Sequence, residues 1–282
     1  MKLTALHTYP IKGTRGLSHQ TIPLELRGLK GDRRWMIVDG ENRFITQREV
    51  ASLATIEAHE TNNGLTITSP SGIAFDVATP NGGNRTQVHV WQDGVDALIA
   101  DEATNAAMSE AIGCPAKLAY MDEEATRLAN PHYAGAKKPV SFADGFPLLI
   151  TSMASLTALN QHIENSGAAP VPMERFRANV VVDGETPWDE DTWSVVRIGD
   201  VIFDAVKPCT RCVVTTRDQK TGIGSDDAQP IRALTKLRRS AVKNIRGVLF
   251  GINLVPRSEG VLSLGDDLQI LERRSQPWPL AT

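Results

Sequence analysis

The chain is poor in cysteine and in aromatic residues. Three thiols in 282 residues, two of them three positions apart, do not make a disulfide framework. A fold stapled by disulfides is excluded, and a reducing, cytoplasmic compartment is expected. Aromatics make up only 5% of the chain, so the core must be filled by aliphatic side chains, which the 41% hydrophobic fraction supplies. No apolar run is long enough to span a bilayer. The opening MKLTALHTYPIKG has neither the apolar stretch nor the small-residue site of a secretory leader. Charge of one sign is also missing: 30 Lys and Arg against 33 Asp and Glu leave a net −3. That balance gives no overall pull towards nucleic acid or an anionic membrane, and neither is expected as a partner.

What is present reads mostly as strand. Trp35 to Val38, the turn Asp39-Gly40-Glu41-Asn42 and a return over 43–46 predict a hairpin. Short strands are expected near 54–58, 65–69 and 87–91, separated by Asn-Gly, Pro-Ser-Gly and Asn-Gly-Gly turn signals. DALIADEATNAAMSEAIG predicts a helix stopped at Gly113, with Cys114 just beyond it. Residues 129–140 are rich in Gly and Pro and predict a loop or lid. PLLIT predicts a buried strand, followed by a helix capped by Ser152 with Leu156, Leu159 and His162 on one face. ERFRANVVVDG predicts a strand, and SVVRIGDVIFDAVKPC a strand pair turning at Gly199-Asp200. PIRALTKLRRS predicts a short basic helix, and VLFGINLVP and GVLSLGDDLQILE further strands. No repeat of solenoid period is present. The fold class expected is α+β, mostly β: a β-barrel-like first part over 1–120 and a second barrel with a few helices over 121–282.

KPCTRCVVTTRDQKTG holds two of the three thiols, Cys209 and Cys212. A structural zinc site would need two more ligands, and the six histidines form no closely spaced pair. A dithiol redox pair would open a helix, whereas the β-branched VVTT that follows predicts a strand. Both cysteines could pack as small hydrophobes, since free cysteine is among the most buried residue types. One of them could instead be a thiolate, stabilised by the adjacent Arg211, that binds a metal or attacks a substrate. The last two readings stand level on the residues alone.

The segment resembles the cysteine segment of MOSC-domain proteins, the molybdenum cofactor sulfurase C-terminal superfamily. HTYPIKG, GLKGDRRWMIVD with FITQR, FADGFPLLITS, RFRANVVVDG, WSVVRIGD and VLFGINL fall in the order of its amidoxime-reducing component branch. The resemblance implies an N-terminal MOSC-associated β-barrel domain over 1–120 and a MOSC domain over 121–282. It implies a molybdenum cofactor (Mo-molybdopterin), with Cys212 as metal ligand and catalytic residue and Cys209 as a neighbour. A soft thiolate suits a metal already held by sulfur. The cofactor-binding positions it implies are Lys12, Asp32, Arg33, Arg177, Thr210, Arg211 and Asn253. An arginine fork suits a phosphate.

Plain alternatives exist for these positions. Lys12 reads equally as a turn lysine, and Arg33 and Arg34 open a strand where one would face solvent. Arg177, inside an apolar strand, must point at something specific. Gly145 and Phe146 are expected to shape the pocket wall, Phe146 reading also as core, with Asp144 a hydrogen-bond partner. Two departures from the family pattern stand out. No cysteine follows Cys212, so the plant-type iron–sulfur pattern of some relatives is missing: either electrons arrive from a separate protein or the chain is a shortened form. Gly13 stands where some relatives have serine. The function implied is reduction of N-hydroxylated compounds (hydroxylamines, amidoximes, N-hydroxy bases). Electrons would come from a separate donor protein of ferredoxin or flavin reductase type. The alternatives are a carrier of persulfide sulfur or of molybdenum cofactor without its own redox turnover, and a plain barrel with inert thiols.

Overall fold

Strand Val201–Arg211 is the longest in the molecule and the one that ends at the thiol segment. The computed structural model describes residues 1–281. Inward and half-exposed residues alternate through its first half, so one face is committed to the core. It pairs antiparallel with Trp193–Ile198 through a turn at Gly199, whose backbone is left-handed, and with Val248–Pro256 on its other side. These three strands sit in an eight-stranded sheet with Leu268–Arg273, Leu148–Ser152, Val180–Val182, Leu3–Thr8 and Leu17–Ser18. The first strand of the chain thus pairs with a strand near residue 180. A small sheet of Thr21–Glu25, Gly28–Leu29 and Gly260–Ser263 closes over the same core, and Ile22, Leu24 and Leu262 meet Trp193, Phe203 and Leu254 there.

A second body is built from Arg85–Val90, Asp93–Ile99, Lys117–Tyr120, Trp35–Val38 and Ile11–Lys12. The meander Glu57–Thr61, Gly64–Thr68, Ala74–Ala78 and the helix Glu102–Ile112 pack on it around an aliphatic core. The fold is α+β, mostly β. Among the described residues no helix is long and apolar enough to cross a membrane.

Several expected elements differ. The return of the first hairpin is reduced to an isolated bridge between Val38 and Phe44. The strand expected at 54–58 is a 3-10 turn, Ala51–Thr55, followed by strand Glu57–Thr61. The helix expected from residue 96 starts at Glu102, because Asp101 accepts the Thr104 backbone N–H at 2.8 Å; the residues before it form strand Asp93–Ile99. Gly113 does stop this helix, in the left-handed conformation. Ser152 does cap helix Met153–Asn165, but Ile163, not His162, joins Leu156 and Leu159 on its buried face. Residues 129–140 hold a short helix, Pro131–Ala134, packed against Phe146 and Val206.

Candidate active site

Four stretches of chain meet at one cleft. Ile11–Lys12 runs parallel to Trp35–Met36 and brings Lys12 to the edge of the second body. Asp32 is buried, accepts the Tyr9 backbone N–H at 2.8 Å and holds Arg33 Nη1 at 2.6 Å. The turn Met173–Phe176 delivers Arg175 and Arg177, and the end of strand Val201–Arg211 delivers Thr210, Arg211 and Cys212. The cleft is open to solvent, and its lining is drawn from both bodies of the fold.

Six cationic side chains line the cleft: Lys12, Arg33, Arg48, Arg175, Arg177 and Arg211. Among the described residues the only carboxylate in the lining is Asp144. Lys12, Arg33, Arg177, Thr210, Arg211, Cys212 and Asn253 all reach the lining, with Gly145 and Phe146. Asp32 does not reach it. It sits behind Arg33 and fixes that guanidinium, as do Asn179 Oδ1 at 3.1 Å and the Arg177 carbonyl at 3.3 Å. Arg34 turns away to the Met121 carbonyl and Glu123.

Arg177 does not lie in a strand. It ends a 3-10 turn with φ +53°, and the strand begins at Val180. Its Nη1 donates to the Thr14 carbonyl at 2.6 Å and to Gln219 Oε1 at 3.0 Å. Both acceptors are neutral, and burial pulls its pKa down to about 10. Arg211 donates to the Phe250 and Phe176 carbonyls at 2.9 and 3.0 Å. Among the described residues its Nη2, like Arg175 Nε, is buried with no hydrogen-bond partner. An unmet charged donor costs about 1–3 kcal/mol or more. A cleft with this lining is built to receive an anion.

The two thiols differ. Cys209 packs against Leu149, Ala178 and Val181, and burial pushes its pKa up. Cys212 lines the cleft, as Cys209 also does, but belongs to none of the apolar clusters among the described residues and precedes the turn Val213–Thr216. That turn is 3-10, not the strand expected from VVTT. The Thr215 and Thr216 hydroxyls donate back to the Cys212 and Val213 carbonyls at 2.9 and 2.7 Å, offering the backbone an alternative to a ladder. All three cysteines are free, and among the described residues no His, Cys, Asp and Glu group could hold a metal by itself.

At the mouth, Lys12 Nζ lies 2.5 Å from Asp144 Oδ1, and Trp91 Nε1 donates to the same oxygen at 3.3 Å. Burial lowers the Lys12 pKa, offset in part by Asp144. Desolvation in the cleft opposes the charge of Asp144, but Lys12 and then Arg33 outweigh it and hold the carboxyl below its ordinary value. Sequence reasoning missed Tyr9, Arg48, Trp91, Arg175 and Gln219. Arg175 was within reach, standing two residues before Arg177 in RFR. The others carry no local pattern and are brought in by pairing across the fold.

Residues 1–115 match the MOSC N-terminal beta barrel domain and residues 137–269 the MOSC domain. The chain is 28% identical over 285 residues to the molybdenum cofactor sulfurase of Oryza sativa subsp. japonica, a match covering 95% of this chain and 34% of that protein. It is 28% identical over 285 residues to mitochondrial amidoxime-reducing component 1 of Homo sapiens, covering 94% and 82%. It is 30% identical over 276 residues to mitochondrial amidoxime reducing component 2 of Rattus norvegicus, covering 92% and 80%. The chain spans about a third of the sulfurase and about four-fifths of the amidoxime-reducing components.

Proposed function

The chain belongs to the MOSC-domain family, and from that premise we propose that it is a molybdenum-cofactor oxidoreductase that reduces N-hydroxylated compounds. Two electrons and two protons convert an N–OH group to N–H and water, and the electrons come from a separate donor protein. One observation carries the reading: six cations and a single carboxylate line a cleft that also holds an unpacked thiol, and two buried guanidinium N–H groups there lack partners.

The donor set suits a metal-bearing, phosphorylated pterin. When bound, that group supplies a metal able to take oxygen from the substrate. Cys212 would hold the metal through its soft sulfur. Arg33, Arg177 and Arg211 would hold the phosphate and pterin with rigid forks, with Thr210 and Asn253 adding neutral contacts. Asn253 Nδ2 donates one of its two N–H groups to the Lys207 carbonyl at 3.0 Å, which leaves its other N–H and its Oδ1 for such contacts. Asp32 serves by orienting Arg33. Asp144 stays ionised at neutral pH, so a proton given up at the mouth comes from Lys12 Nζ or from water. Half-exposed Trp91, edge-on to Phe44 at 4.9 Å, offers an apolar lip that suits a substrate's flat carbon skeleton. Three free cysteines suit a reducing compartment such as the cytoplasm.

Protein purified from a cofactor-competent host is expected to carry near-stoichiometric molybdenum and to reduce benzamidoxime with dithionite-reduced viologen. Cyanide-releasable sulfur without molybdenum would instead support a persulfide carrier, and metal without turnover a cofactor carrier. Neither metal nor sulfur would leave a plain barrel.

A further inference from the structure

Between Asp227 and Glu259 the chain contains no carboxylate, yet it carries Arg232, Lys236, Arg238, Arg239, Lys243, Arg246 and Arg257. In a protein of net charge −3 this is a local excess. Arg238 is buried and paired with Asp191, and Arg257 is paired with Asp204. The other five are exposed, and among the described residues none forms an ion pair. Arg232 and Lys236 lie four residues apart on helix Ile231–Leu237, whose Ala233 and Leu234 face the core, so both project from its outer side. Asp226 and Asp227 bound the stretch at one end; Asp227 is occupied by Ser225 Oγ and the Gln229 backbone N–H.

This stretch runs up to the cleft. Arg239 bridges Val248, and Val248 pairs on its other side with Arg211. Two strand spacings, roughly 10 Å, therefore separate the basic segment from the strand that ends at Cys212. The helix also packs against the turn Val213–Thr216, and Val213, next to Cys212, is 54% exposed. An apolar side chain at the thiol, flanked by unpaired cations, is the layout of an interface steered by charge and centred on a dry contact.

We propose that this face docks an acidic electron-transfer protein, the donor of the two electrons that the reduction consumes. The inference rests on the oxidoreductase reading above. A nucleic acid or an anionic membrane would also answer to positive charge. Neither accounts for placing that charge beside the cleft thiol that stays outside the apolar clusters, where electrons must enter. Polyanionic strands or headgroups would be opposed by the rest of a chain of net charge −3, in which these five exposed cations are a local excess.

The test uses the intact holoprotein and the variant R232E/K236E/K243E/R246E, whose four positions lie outside the cleft. The probes are an acidic two-iron ferredoxin and an acidic flavodoxin. Wild type is expected to bind at least one of them, less tightly as salt rises, and the variant to bind about tenfold or more weakly. Viologen-driven turnover, which needs no docking, is expected to be equal in both. Binding that is unchanged in the variant, or wild type binding neither probe, overturns the proposal. So does tighter binding of this face to a single-stranded oligonucleotide or to phosphatidylserine vesicles. Loss of viologen-driven turnover in wild type would instead overturn the oxidoreductase reading, and the binding measurement would still judge the surface.

Discussion

Arg33 and Arg177 both hold left-handed backbones, and both carry their guanidiniums over the ring of Tyr9, at 4.3 and 4.2 Å from its centre. Such a conformation costs a non-glycine residue on the order of 1–3 kcal/mol and persists only where neighbours enforce it. Tyr9 is one such neighbour. Its hydroxyl donates to the Ala178 carbonyl at 3.1 Å, and burial pushes its pKa up to about 12, so the ring stays neutral. Gly16 makes room for it: a Cβ there would lie 2.6 Å from Tyr9 Cε1. Tyr9→Phe is expected to lose about 1 kcal/mol of stability with the hydroxyl bond and to keep anion affinity, because the ring remains. Tyr9→Leu is expected to weaken pyrophosphate binding to the cofactor-free protein several-fold, as two cation–ring contacts of about 0.5–2 kcal/mol each are lost. Calorimetric titration of both variants checks this, and equal affinities would show that the arginines need no such support. Cys212, Lys12 and the arginines could be singled out from chain segments because their motifs are local. Tyr9 could not, since its role depends on two arginines that lie 24 and 168 positions further along.

At the scale of elements, helix Met153–Asn165 begins at a buried acid. Glu190 Oε2 accepts from the hydroxyls of Ser152 and Ser155, and its Oε1 is buried without a partner among the described residues. Burial raises its pKa from 4.5 to about 7. The folded state therefore binds extra protons between those values and loses stability as the pH rises through that window. The penalty is fully present above pH 7 and absent below pH 4.5. Glu190→Gln removes the charge, so the variant is expected to be about 1–3 kcal/mol more stable than wild type at pH 8, with the gap closing by pH 4.5. Urea melts across pH test the sign, and a destabilised variant at pH 8 would refute it. Elements were legible where local chemistry and tertiary demand agree, as at the Ser152 cap, the Gly113 stop and the Gly199 turn. They were not legible where a side chain intervenes. VVTT has strand propensity, but two threonine hydroxyls fold it back. RFRANVVV has an apolar run, but only its last three valines pair as a strand.

The molecule as a whole is a positive cleft inside a mildly acidic protein. Burial without a charged partner costs Arg177, and five further cations share its cleft, so an anion bound there is expected to stabilise the protein. Phosphate or pyrophosphate is expected to stabilise the cofactor-free protein by about 2.7 kcal/mol at a hundredfold excess over its Kd. Chloride at equal ionic strength is expected to do little. Thermal melts decide it, and no difference between the anions would mean that the cations are structural. The mostly-β class was legible from alternation and turn signals. The entry of Leu3–Thr8 into a sheet of later strands was not, because strand pairing at that separation leaves no local trace.

The direct measurement is molybdenum per chain in wild type, Cys212→Ala and Cys209→Ala, all purified from the same cofactor-competent host. Near-full occupancy is expected in wild type and Cys209→Ala and little or none in Cys212→Ala, with all three equally folded. Metal retained without Cys212, or lost equally without Cys209, would contradict this expectation.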